Sequence, residues 1–100
     1  MLTEAFRVRD PSWVVQCALS RICGCCAMSL GRPIAFLGTE EEVARNAFHL
    51  LPMHVACAEQ LRAGPRGDRS WTLVTTAGFE FVRPDEQDRR LRFEPNSLLG

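Results

Sequence analysis

Three thiols and one imidazole stand in two short pairs, and their types and spacing carry most of the chemistry legible in this chain. Cys23 and Cys26 bracket Gly24 and Cys25; His54 and Cys57 bracket Val55 and Ala56. Each pair leaves two residues between its members, a gap that lets both side chains reach one metal ion. Soft thiolates with a single imidazole suit a tetrahedral zinc ion. The expected site is therefore structural zinc held by Cys23, Cys26, His54 and Cys57.

The remaining cysteines and the second histidine are competitors. Cys23 and Cys25 fall on opposite sides of an extended segment, whereas Cys23 and Cys26 converge across a turn. Gly24 eases that turn, and amides following Cys23 are expected to point at its sulfur. Cys25 is then free or faces the core, and Cys17 packs as a small buried hydrophobe. The bland account makes Cys17, Cys23, Cys25 and Cys26 inert core thiols; the later His-x2-Cys pair argues against it. His49 is the rival ligand to His54.

The elements that must position these residues follow in chain order. Residues 1–12 read as an arm, closed by Asp10-Pro11-Ser12. Trp13, Val15, Cys17 and Leu19 alternate, which suits a half-buried strand; a short helix capped by Ser12 competes. Ala27–Leu30 and Pro33–Leu37 flank Gly31 and read as a hairpin. Thr39 followed by Glu42 is a capping box, with Glu40 and Glu41 adding negative charge to the first turn. Val43, Ala44, Ala47 and Phe48 share a helical face, so that helix is expected to reach about Leu51. Pro52 is placed in the first turn of the next helix, which carries His54 and Cys57 and stops at Gly64-Pro65. There a free helix N-terminus favours a thiolate.

Beyond a loop at 64–69, Trp71–Thr76 and Phe79–Val82 read as paired strands around Ala77-Gly78, with Phe79 and Phe81 on one face. Residues 84–100 form a charged tail, either loosely ordered or docked, with Phe93, Leu98 and Leu99 as its apolar anchors. The organisation expected is thus an arm (1–12), a zinc-binding domain (13–83) and a tail (84–100).

The knuckle at Cys23 and Cys26, the hairpin around Gly31 and the helical pair His54 and Cys57 resemble the treble-clef group of zinc fingers. They are also similar to small Cys-x2-Cys…His-x2-Cys proteins of high-GC bacteria. The resemblance covers roughly residues 21–63. It implies an α+β fold of knuckle, hairpin and ligand-bearing helix, here with an added C-terminal β-hairpin. The helix expected over Glu40–Phe48 is an insertion relative to that plan.

Composition narrows the function classes. Twelve basic residues, all arginine, balance twelve acidic ones, so no global field attracts nucleic acid. Arg7, Arg9, Arg21, Arg32 and Arg45 gathered on one face would be the basis of a nucleic-acid reading. No apolar run is long enough to span a bilayer, and no export layout is read at the N-terminus, so the expected compartment is cytoplasmic. The tripeptide Arg66-Gly67-Asp68 is read as chance. Four filled ligand positions leave no open coordination site, and His-Glu-x-x-His, phosphate-loop, nucleophile-elbow and deaminase motifs are absent. The chain is expected not to be an enzyme. It is read as a zinc-stabilised module working through protein contacts, with nucleic-acid binding and thiol redox sensing through Cys25 as alternatives.

Overall fold

The computed structural model describes residues 11–65, 67–86 and 88–97. Among these the elements run α1 (Pro11–Ser20), β1 (Ile34–Gly38), α2 (Glu40–Arg45), α3 (Val55–Ala63), β2 (Thr72–Thr76), β3 (Phe79–Val82) and β4 (Arg92–Pro95). The fold is mixed helix and sheet, with two two-stranded antiparallel sheets, β1 with β2 and β3 with β4.

The first element is a helix, not the strand suggested by alternation. Pro11 opens it, at a position where the missing amide costs nothing. Val14, Cys17 and Ala18, at helical spacing, are buried, whereas Leu19 is 72% exposed. A period of two would have buried Leu19 with Cys17. The arm was expected to extend through residue 12; residues 1–10 lie outside the described residues.

β1 is the spine. All five of its residues are buried, which fits a strand covered on both faces. Its register with β2 sets Ile34 opposite Thr76 and Gly38 opposite Thr72. On its other side Ala35 and Met53 exchange backbone hydrogen bonds of 2.7 and 3.0 Å. This arrangement replaces the hairpin expected around Gly31. Residues before Gly31 pair elsewhere: Ile22 bridges Ser29, closing a small loop that contains the first cysteine pair. Likewise, β2 and β3 do not form the hairpin read around Ala77-Gly78. β2 pairs with β1 and β3 with β4, the next strand along, because β1 and β4 supply buried aromatic faces that a lone two-stranded ribbon lacks.

Phe36 of β1 sits amid an aromatic cluster. Its ring centroid lies 5.6 Å from Phe48, 5.6 Å from Phe79 and 5.7 Å from Phe93. Phe36, Phe48 and Phe93 are all essentially inaccessible to solvent. Each would lose about 3–5 kcal/mol on truncation to alanine. Phe93 lies in the segment read as a tail, so of the two alternatives offered there the chain docks on its own domain. Leu98 and Leu99 lie outside the described residues.

Helix α2 begins as read: Thr39 Oγ1 accepts from the Glu42 amide, and a Glu42 carboxylate oxygen accepts from the Thr39 amide. It ends six residues earlier than the reading to Leu51. Asn46 turns left-handed with φ 55°, and its side-chain amide donates to the Pro95 carbonyl at 2.7 Å. Phe48 then exchanges backbone hydrogen bonds with Phe93 at 2.7 and 2.8 Å. Burying Phe48 against β4 outweighs continuing a helix whose Val43 and Ala44 face solvent. At Gly38 the backbone comes so close to Phe48 that an added Cβ would lie 2.6 Å from its ring.

Candidate metal centre

The first pair rides on a tight loop. The Cys23 amide donates to the Met28 carbonyl (2.8 Å), and the Ala27 amide donates to the Cys23 carbonyl (2.9 Å). Ala27 takes a left-handed conformation, φ 62°. The Gly24 amide ties the loop to the Pro52 carbonyl at 2.8 Å, and a Cβ at Gly24 would meet Leu51 Cβ at 2.5 Å. Any side chain there would push the first pair away from the second.

The second pair stands at the start of α3, which begins at Val55, three residues after Pro52. Pro52 is not in its first turn: Pro52 is buried, and Met53 is held extended by β1. His54 is the N-cap, with ψ 153°, and Cys57 lies in the first turn. The helix ends at Gly64, where the sequence placed its stop.

These segments bring four ligand atoms together. Those of Cys23, Cys26, His54 and Cys57 all lie within 4.8 Å of one another. Two sulfurs on a zinc tetrahedron with bonds of about 2.3 Å are roughly 3.8 Å apart, so a small inward movement closes the shell. His54 Nδ1 lies 3.4 Å from Cys26 Sγ and 3.9 Å from Cys57 Sγ. Its Nε2 lies 2.9 Å from the Ser29 carbonyl oxygen. A carbonyl only accepts, so Nε2 carries the hydrogen and Nδ1 turns a lone pair toward the sulfurs. An outer hydrogen bond of this kind commonly orients a metal-binding histidine. Ser29 was not singled out in the sequence, because its backbone carbonyl leaves no residue-type signal.

The sulfurs are electrostatically unequal. The Cys23 thiol is lowered to about 4, first by the hydrogen bond from the Cys25 thiol, with help from the amides of Cys26, His54 and Cys25. The Cys25 amide approaches Cys23 Sγ to 3.3 Å, as expected of such a turn. Burial and then the Cys23 charge raise the Cys57 thiol to about 12, and the same two causes raise Cys17 to about 12. Cys25 is pushed up as well, first by donating to Cys23 and then by burial. The Cys23 charge thus opposes ionisation of Cys17, Cys25 and Cys57. A divalent ion reverses that repulsion and deprotonates its thiol ligands outright.

Cys25 is 1% exposed and Cys17 is fully buried, so both of the expected packing roles hold. Cys26 is exposed and Cys57 half-buried. His49, the rival ligand, is committed elsewhere. Its Nδ1 lies 2.6 Å from Glu42 Oε2 and its Nε2 lies 2.7 Å from Asp88 Oδ2. Burial raises the Glu42 carboxyl, but the Thr39 amide and His49 outweigh it and leave it below its ordinary value. Asp88 is lowered to about 2, first by His49 and then by the Arg90 amide. Arg21, Arg32 and Arg45 are exposed; Arg7, Arg9 and Arg66 lie outside the described residues. No helix among the described residues is long and apolar enough to cross a membrane. Neither protein-family models, curated proteins nor solved structures match this chain.

Proposed function

We propose that Cys23, Cys26, His54 and Cys57 hold one zinc ion in a closed structural site, and that the domain it stabilises acts as a protein-binding regulator or accessory module. The supporting observation is the convergence of three sulfurs and an imidazole lone pair within 4.8 Å, with the ring oriented by Ser29. The loop carrying one pair and the start of α3 carrying the other are similar to the ligand-bearing parts of a treble clef, with β1 paired to β2 where that plan has its hairpin. Four protein ligands fill a zinc shell, so the site has no position for substrate or water, and the protein is not an enzyme. Cysteines used as metal ligands and not as a disulfide framework suit a reducing, cytoplasmic setting. Exposed apolar Met28, 65% accessible beside the Cys26 turn, and exposed Leu19 support contact with protein.

Metal analysis of protein purified without added metal tests the first half: about one zinc per chain is expected. A folded, metal-free preparation overturns it. A photo-crosslinker placed at position 28 tests the second half. Labelling of one discrete protein supports it, and labelling of nucleic acid replaces it with the alternative class.

A further inference from the structure

The four ligands differ in exposure, from buried Cys23 to exposed Cys26. Cys23 is fully buried and is fixed by amides of its own turn and by the tie from Gly24 to Pro52. Cys26 is at the surface, on the side of the loop that continues through exposed Ala27, Met28 and Ser29. Cys57 is half-buried, with its sulfur within 4.8 Å of that of Cys26. The other two cysteines, Cys17 and Cys25, are buried.

Resting on the zinc reading above, we infer that Cys26 is a site of oxidation by peroxides, that Cys57 resolves it as a disulfide, and that zinc leaves as the bond forms. Metal-bound thiolates remain nucleophilic, and susceptibility among them follows exposure. The Cys26 thiolate attacks one peroxide oxygen; an S–O bond forms, the O–O bond breaks and hydroxide departs. The Cys57 thiolate then attacks the Cys26 sulfur; an S–S bond forms, the S–O bond breaks and a second hydroxide departs. Two electrons pass from the sulfur pair to the peroxide, and each hydroxide takes a proton from solvent. A disulfide needs its sulfurs about 2.05 Å apart. The exposed turn at Cys26 supplies the movement more readily than the pinned Cys23. Zinc is left with Cys23 and His54, half its shell, and dissociates.

This differs from a redox response seated at Cys25. That thiol is 1% exposed and donates to Cys23, so peroxide meets Cys26 first.

The test treats purified full chain with limiting hydrogen peroxide. Zinc is followed with a chromogenic chelator, and disulfides are mapped by tryptic digestion and fragmentation mass spectrometry. The expected result is about one zinc freed per disulfide formed, with the peptide spanning residues 22–45 joined to the one spanning 46–62 through Cys26 and Cys57. In Cys25→Ser, which keeps a donor beside Cys23, the same link is expected. A first disulfide involving Cys17, Cys23 or Cys25 overturns the inference, as does a Cys26–Cys57 bond that leaves zinc bound. So does survival of all thiols under peroxide that oxidises a free thiol peptide. The zinc content before oxidation judges the metal reading separately.

Discussion

His49 and His54 stand five residues apart and meet opposite environments. His54 spends one ring nitrogen on the Ser29 carbonyl and turns the other toward Cys26 and Cys57. His49 gives both nitrogens to carboxylates, Glu42 from α2 and Asp88 from the segment before β4. Both His49 nitrogens are thus taken up by carboxylates, and neither faces a sulfur. The two histidine sites are accordingly closed in different ways. Around His49, protein atoms satisfy one another. Around the cysteines the Cys23 charge opposes ionisation of Cys17, Cys25 and Cys57, a repulsion that a cation would relieve. Histidine as a residue type does not make a ligand; a free lone pair facing soft donors does.

The largest effect is expected where closure depends on the ion. Chelation, Cys23→Ser or His54→Ala should remove zinc and unfold the domain, since structural zinc contributes on the order of 10 kcal/mol. Far-ultraviolet circular dichroism with metal analysis reads both changes; a folded His54→Ala protein with full zinc would erase the contrast between the two histidines. Next, Phe93→Ala should destabilise by about 3–5 kcal/mol through the cavity it leaves. Denaturant melts of zinc-loaded protein check this, and a change below about 1 kcal/mol would mean that β4 does not hold the aromatic cluster.

His49→Ala should cost about 1–3 kcal/mol, by leaving Glu42 and Asp88 without their shared partner. It should leave one zinc per chain, and loss of the metal from this variant would make His49 the ligand instead. A fourth outcome concerns pH. The Cys57 thiol, raised to about 12, holds its proton at neutral pH, and zinc must expel it. Cys23, lowered to about 4, has none to lose there. Zinc affinity should therefore rise with pH, about tenfold per unit for each proton released. Competition titrations between pH 6 and 8 measure the slope, and a flat profile contradicts it. The smallest effect is at the helix cap: Thr39→Ala should lower stability by about 1 kcal/mol without altering zinc content.

What could be read without coordinates were the features set by short spacing. Two residues between paired ligands, Thr39 three before Glu42 and Gly64 after the last helix each act over one turn of chain, where backbone geometry alone dictates the outcome. The segments that become β2 and β3 were legible from alternation for the same reason. Tertiary structure decided the rest. β1 chose β2 and Met53 as neighbours, α2 stopped so that Phe48 could pair with Phe93, and Phe93 entered the core from a charged stretch. Only the assembled fold buried Cys25, exposed Cys26 and placed carboxylates on both sides of His49. Pairing and burial are competitions among groups far apart in sequence, won by the apolar area removed from water. No local spacing encodes the result.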